Sequence, residues 1–324
     1  MNAVIPVERV VSVTTYGRLH LGFFNLSQQS QRQFGSVGVA IDAFQTSLTV
    51  GLGPQQSPLD PWVSGRLQHH LSAYGVNAEI NVTIKQAVPR HGGLGSGTQM
   101  ALALGAAVNT LLGLPVNAAK IAATHQRGAR SGIGIATFEH GGFVVDGGRG
   151  PHTEVPPLIA QHPFPPDWHF LLIVDNSRDG LHGQGEKNAF RQLEPQSLTA
   201  TQVIQQQLLS QGLPALIEQD FATFSRFLGD LQAYNADYFA PAQGGAYASS
   251  SVASILQSIK KQGYAGIGQT SWGPTGFVLL PSRAEAVTMQ LQLLHDHAND
   301  ASLGFIVTAA MNQSANIMFG NGAD

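Results

Sequence analysis

The chain has 324 residues, 43% apolar and 11% charged, with a formal net charge of −3. That balance excludes a disordered chain and any general attraction for nucleic acid or an anionic membrane, so a phosphate site has to be a local device. The absence of cysteine removes disulfides, thiolate metal sites and cysteine nucleophiles, and fits a reducing compartment.

A chain of this size suits two domains, each with its own core. Residues 7–14 and 46–52 are rich in β-branched side chains and are expected strands, as are 79–85, where Ile80, Val82 and Ile84 alternate. The spacing of Trp62, Leu67, Leu71 and Tyr74 predicts a helix over 62–74 that Gly75 ends. Residues 96–112 are apolar or small at almost every position, the pattern of a helix buried on most sides, and Gly113 and Pro115 stop it. A helix over 117–127 takes Asn117 as its N-cap, and a glycine-dense stretch follows over 128–150, with a turn at Gly134.

The proline-rich run 162–166 is the clearest break in composition and divides the chain into domains 1–162 and 163–324. Beyond it, a strand is expected over 168–174 and helices over 197–210, 217–234 and 249–262. Strands over 276–280 and 303–308 flank a helix over 283–297, an α+β layout with helices covering one face of a sheet. Residues 1–13 lack a basic-then-apolar signal pattern, and no run of about 18 apolar residues is present to cross a bilayer, so a cytoplasmic protein without a membrane partner is expected.

Between the third strand and the buried helix lies Pro89-Arg90-His91-Gly92-Gly93-Leu94-Gly95-Ser96-Gly97-Thr98-Gln99. Glycines let a backbone turn its N–H groups toward an anion, and the helix start adds further donors and a partial positive charge. Gly93, Leu94, Gly95, Ser96, Gly97 and Thr98 are therefore expected to hold a phosphate or pyrophosphate. The run is no Walker loop, which needs Lys at Thr98, and no dinucleotide fingerprint, which needs a third glycine there. A tight packing turn is the plainer alternative.

The same run resembles the second motif of the GHMP superfamily of small-molecule kinases. Tyr16-Gly17-Arg18-Leu19-His20-Leu21-Gly22 resembles the first motif, and Gly268-Gln269-Thr270-Ser271-Trp272-Gly273-Pro274-Thr275-Gly276-Phe277 the third. The resemblance implies a two-domain GHMP-kinase-like fold, with a ribosomal protein S5 domain 2-like first half and a ferredoxin-like second half. In many such kinases a Ser-Gly-Ile-Asp-Asn segment supplies an acid that activates the acceptor hydroxyl. Here Ser131-Gly132-Ile133-Gly134-Ile135 runs parallel to it with Gly134 in place of the acid, and glycine has no side chain to take a proton.

The departures resemble one subfamily, the β-ribofuranosylaminobenzene 5'-phosphate synthases of tetrahydromethanopterin biosynthesis, in Arg18-Leu19-His20, in 93–99, in 130–134, in 138–148 and in Ser271-Trp272-Gly273-Pro274-Thr275. One loop departs from it, Gly180-Leu181-His182-Gly183, with His182 in place of Ser. The resemblance implies that 4-aminobenzoate or 4-hydroxybenzoate attacks phosphoribosyl pyrophosphate through a ring carbon, releasing pyrophosphate and carbon dioxide with the help of Mg²⁺, in a homodimer. An ATP-dependent kinase of the same fold is the alternative, and a ligand sensor without turnover is a third.

Arg18 suits a phosphate or the benzoate carboxylate, because a planar guanidinium pairs with either in bidentate fashion. His20 is a candidate to bind substrate or move a proton, against the plainer view of a histidine simply hydrogen-bonded in place. Arg130 and Ser131 precede Gly134 and are expected to face the anion on the glycine loop. Glu139 and Asp146 are acids in a nearly uncharged segment, candidates for Mg²⁺ or for stabilising a ribosyl cation, against structural carboxylates. Asp175 and Glu186 are further candidates of the same kind. Trp272 is expected either to stack on the benzoate ring or to pack in the core. His69, His70, His295 and His297 are expected on the surface.

Overall fold

The computed structural model describes residues 9–178, 180, 190 and 193–321. The first half supplies β1 (Arg9–Phe23), β2 (Ser36–Leu52), α1 (Pro61–Ala73), β3 (Ile80–Gln86), α2 (Ser96–Leu111), α3 (Ala118–Thr124), α4 (Ile133–His140), β4 (Phe143–Asp146) and β5 (Leu158–His162). The second half supplies β6 (His169–Asp175), α5 (Leu198–Gln207), α6 (Leu213–Glu218), α7 (Phe221–Gln243), α8 (Ser250–Lys261), β7 (Ile267–Gln269), β8 (Thr275–Leu280), α9 (Arg283–Asp296), β9 (Leu303–Ala309) and β10 (Asn316–Asn321). None of the described helices is long and apolar enough to cross a membrane.

The first sheet runs β10-β1-β2-β4-β5, with β3 also on β2, and the second runs β7-β8-β6-β9. The strand expected over 7–14 is the first part of β1, which continues through Arg18 and His20 to Phe23. Val11 and Val13 pack with the helices α1 and α2, whereas Leu19 and Leu21, of the same parity, join the core shared with the second sheet. Between Tyr16 and Gly17 the register shifts, the partner passing from Gln45 to Ile41 of β2, and the two cores divide along β1 at that break.

Asn117 caps α3 by accepting from the Lys120 amide, as its side chain predicts. The helix expected over 217–234 is instead broken: α6 ends at left-handed Gln219, and Asp220 caps a new helix by accepting from Thr223 N at 3.1 Å. The expected turn at Gly134 is the first turn of α4, where burial of Ile133, Ile135, Ala136 and Phe138 overrides the weak helix propensity of glycine.

Alternation along β6 separates two cores. Leu171 and Ile173 pack with α8 and α9, while Phe170 and Leu172 pack with Phe224 and Phe227 of α7 and with the first sheet. The second sheet is thus covered on both faces rather than one. Phe164, Phe170, Phe224 and Phe227 are almost wholly buried, each contributing about 1.5–3 kcal/mol of apolar transfer, and they fix the first sheet against the second.

Candidate active site

Three segments far apart in the chain meet at one carbonyl. The Gly93 oxygen accepts from Arg18 Nη1 and, at 3.0 Å, from Thr270 Oγ1, and Thr270 Oγ1 in turn accepts from the His20 amide at 2.9 Å. The Arg18 amide donates to the neighbouring Leu94 carbonyl at 3.0 Å. Gly93 has φ +77°, and a Cβ there would lie 2.5 Å from the Thr270 carbonyl oxygen and 2.9 Å from Gly273 Cα, so only glycine lets the two glycine-rich loops touch. Gly95, left-handed at φ +86°, starts α2 without a side-chain cap. The Thr98 and Gln99 amides fold back onto the Gly95 carbonyl, so the amides of Ser96 and Gly97 are the forward donors of this helix mouth.

Thr98, in the first turn of α2, borders a cleft of about 510 Å³ lined by Arg18, Arg66, Arg127, Arg130 and Arg149, with no Asp or Glu among its described lining residues; Gly93 to Gly97 lie beside it rather than on its lining. Arg127 lies over the start of α2: a Cβ on Gly97 would sit 2.9 Å from its Nη2. Burial, with Arg127 and Arg90 nearby, lowers Arg66 to about 10, which still leaves it charged at neutral pH. Its guanidinium lies 4.3 Å above the Trp62 ring, and that of Arg130 lies 3.7 Å above Phe190. Phe23, Phe239 and Trp272 line the cleft too, with Trp272 4.5 Å from Phe239.

Of the residues expected from sequence, the fold brings Arg18, His20, Thr98, Arg130, Ser131 and Trp272 to this cleft, together with Gly134. His20 is 5% exposed, and burial, then the charge of Arg18, holds its pKa down at about 3, so the imidazole is neutral. Trp272 is likewise 5% exposed and packs against Phe190 and Phe239, the core alternative with one edge on the cleft. The Leu94 side chain is in the core, so this residue can meet a ligand only through its backbone.

The acids lie elsewhere. Asp146 is fully buried behind Ser131, its Oδ2 accepting from Ser36 Oγ at 2.5 Å, Gly132 N at 2.8 Å and Ser131 Oγ at 3.2 Å, and its Oδ1 from Gly148 N at 2.9 Å. Burial raises its pKa to about 6 against the opposing pull of those four hydrogen bonds. Glu139 is exposed on the last turn of α4 and borders a separate groove with His140 and Asn312. Asp175 ties the end of β6 to α8, accepting from Ser177 Oγ at 2.5 Å and from Ser249 Oγ at 2.6 Å. Glu186 and 181–183 lie outside the described residues.

His70 is not on the surface as expected but wholly buried, because Asn109 of the buried helix α2 partners its Nε2 at 2.9 Å and His125 stands 3.3 Å from its Nδ1. Arg66, Arg127, Arg149 and His125 are cleft residues that sequence reasoning missed. Arg127 stood three positions before Arg130 in a run already singled out, whereas nothing local marks Arg66 on α1. No three His, Asp or Glu side chains converge among the described residues to hold a metal. Mg²⁺ prefers carboxylate, carbonyl and water oxygens, and the described residues that line the cleft offer it no carboxylate.

Residues 63–142 match the GHMP kinases N terminal domain and residues 213–299 match GHMP kinases C terminal. The chain is 32% identical over 243 residues to β-ribofuranosylphenol 5'-phosphate synthase of Archaeoglobus fulgidus, covering 69% of this chain and 75% of that protein. It is 27% identical over 301 residues to the protein of that name from Methanocaldococcus jannaschii, 81% and 87% respectively. Among solved structures, homoserine kinase from Cytophaga hutchinsonii matches with a TM-score of 0.65 at 17% identity, covering 98% of this chain and 100% of that one. Mevalonate diphosphate decarboxylase from Staphylococcus aureus matches with a TM-score of 0.66 at 14% identity, covering 96% and 98%. These two likenesses concern the fold alone.

Proposed function

The chain belongs to the GHMP-kinase-related β-ribofuranosylphenol and β-ribofuranosylaminobenzene 5'-phosphate synthase family, and on that premise we propose that it condenses phosphoribosyl pyrophosphate with 4-hydroxybenzoate or 4-aminobenzoate, releasing pyrophosphate and carbon dioxide, in tetrahydromethanopterin biosynthesis. Phosphoribosyl transfer onto an aromatic ring compound is the reaction class of the family. The observation that carries the finer reading is the cleft itself: five arginines and a helix mouth, without a carboxylate among the described lining residues, beside a wall of aromatic rings.

The amides of Ser96 and Gly97, with Arg127 and Arg66, hold the diphosphate, and Arg18 braces the loop through the Gly93 carbonyl. Arg130 and Arg149, which line the same cleft, take the remaining anions in this reading, the ribose phosphate and the benzoate carboxylate. The ring carbon bearing the carboxylate attacks the anomeric carbon while the bond from that carbon to pyrophosphate oxygen breaks, its electron pair leaving with pyrophosphate. The bond to the carboxylate then breaks, carbon dioxide departs and the pair returns to the ring. Charge growing on the pyrophosphate meets N–H dipoles and guanidinium groups already fixed in place, which is where such a site lowers the barrier most. Asp146 acts at one remove, positioning Ser131 and Gly132 at the cleft floor.

Incubation with phosphoribosyl pyrophosphate and either carboxyl-labelled benzoate tests the reading. Release of labelled carbon dioxide without ATP is the expected result. No release, together with ATP consumption on adding a small alcohol, overturns it in favour of a kinase.

A further inference from the structure

We propose that Nδ1 of His125 accepts a hydrogen bond from the 2-hydroxyl of the ribosyl donor, and that Asn109 and His70 fix the tautomer that makes it an acceptor. The inference rests on the phosphoribosyl-transfer reading of this cleft. The tautomer follows link by link from the core outward. Asn109 Nδ2 donates at 2.9 Å to the Pro115 carbonyl, which only accepts, so the amide turns its Oδ1 to His70. That oxygen only accepts as well, so His70 Nε2, 2.9 Å away, carries a proton. Burial first of all lowers the pKa of His70, so its ring is neutral and the lone pair is on Nδ1. His125 Nε2, 3.3 Å from that lone pair, is therefore the donor. His125 is itself lowered to about 3, by burial and then by His70, so the ring is neutral and its Nδ1 is left as an acceptor.

The ring is held where this matters. The rings of His70 and His125 lie 7° from parallel with centroids 5.4 Å apart, consistent with an in-plane N–H···N bond. His69 Nε2 donates to the Thr124 carbonyl at 2.7 Å and the His125 amide donates to the Ile121 carbonyl at 3.2 Å, so two neighbouring histidines of α1 hold the end of α3. Among the described residues no hydrogen bond reaches His125 Nδ1, and the atom is not closed off from the cleft that His125 lines. Arg66 and Arg127, the guanidiniums assigned to the diphosphate, line the same cleft and act on the charge of His125. The described rings in contact with His125 are His69 and His70, not the aromatic wall of Phe23, Phe239 and Trp272.

An acceptor among diphosphate-binding guanidiniums has one natural partner on the donor. Ionised phosphate oxygens have no hydrogen to give to Nδ1 and would set lone pair against lone pair. The diphosphate leaves from the anomeric carbon, and the hydroxyl on the adjacent ring carbon is the nearest group of the sugar with a hydrogen to donate. A carboxylate in place of His125 would accept from that hydroxyl too, but its charge would repel the diphosphate beside it. A neutral imidazole with its proton committed to His70 accepts without that cost.

Carbon dioxide release with phosphoribosyl pyrophosphate and with its 2-deoxyribose analogue, by the wild type and by His125→Phe, tests the contact. Comparing the ratio of kcat/KM for the two donors between the two proteins cancels the different intrinsic reactivity of the sugars. That ratio should fall about tenfold in the variant, the usual worth of one hydrogen bond to a substrate hydroxyl. An unchanged ratio overturns the contact and leaves phosphoribosyl transfer standing. No release by the wild type with phosphoribosyl pyrophosphate overturns the parent reading and this inference with it. Because the variant can lose its fold, the intact protein supplies a second measurement. In a nitrogen–proton correlation spectrum of its imidazoles, His125 should carry its proton on Nε2, and its Nδ1 resonance should move far more on saturation with phosphoribosyl pyrophosphate than with inorganic pyrophosphate. A proton on Nδ1, or an equal response to both ligands, overturns the proposal.

Discussion

The side-chain amide of Gln99 donates to the carbonyl of Gly134 at 2.8 Å, and Gln99 Oε1 accepts from Thr15 Oγ1 at 2.5 Å. The first turn of α4 is thereby held against the first turn of α2, and the position at which related kinases carry an acid faces the cleft. A Cβ on Gly134 would lie 3.0 Å from Thr98 Cγ2, close but adjustable.

Gly134→Asp places a negative charge in the cleft lined by the arginines proposed to hold the diphosphate. A like charge a few ångströms from a phosphate costs on the order of 1–2 kcal/mol at a partly screened site, so KM for phosphoribosyl pyrophosphate should rise about tenfold. Steady-state carbon dioxide release measures it, and an unchanged KM would place the diphosphate elsewhere.

Arg127→Ala removes the guanidinium over the start of α2. Losing hydrogen bonds between charged groups costs about 1.5–3 kcal/mol, so pyrophosphate affinity should fall about ten- to a hundredfold. Arg127→Lys should recover only part of it, since a point charge replaces a planar fork. Titration calorimetry with pyrophosphate checks both variants.

Asp146→Asn should lower stability by about 1–3 kcal/mol, because whichever way the amide sits, an NH₂ group faces a backbone N–H, of Gly132 or of Gly148. The loss should also depend on pH. The carboxyl is raised from 3.8 to about 6, so its favourable contribution is complete below 3.8 and is lost as pH rises through about 6. Denaturant titrations should therefore show a larger gap between wild type and variant at about pH 5 than at about pH 8.

His20 and His125 are each lowered from 6.5 to about 3, both first of all by burial. The unfolded chain takes up their protons as pH falls below 6.5 and the folded chain refuses them, so stability should decline over that interval. His70, lowered chiefly by burial, adds to the same slope, while Asp146 opposes it as a single group below about 6. His125→Asn should flatten the decline in denaturation midpoint, and a midpoint that rises on acidification from about pH 7 to about pH 5 would contradict the assignment.

Burial periodicity and backbone conformation are short-range properties, and the amino-acid order by itself determined what depends on them. Alternation in 79–85, the continuous apolar run of 168–174, the apolar or small run of 96–112, the cap at Asn117 and the glycines of 92–97 set their elements directly, and the three ordered motifs identified the fold. Only the tertiary structure decided which charges share a space. Arg66 comes from α1, Arg127 follows α3 and Arg149 follows β4, and they meet because two helices and the loop after β4 converge beside the start of α2. Glu139 and Asp146, both legible as acids, were sent to an outer groove and to a buried hydrogen-bond hub by the faces of α4 and β4 that carry them. An electrostatic neighbourhood is made of contacts between residues distant in the chain, and no local pattern of residue types encodes it.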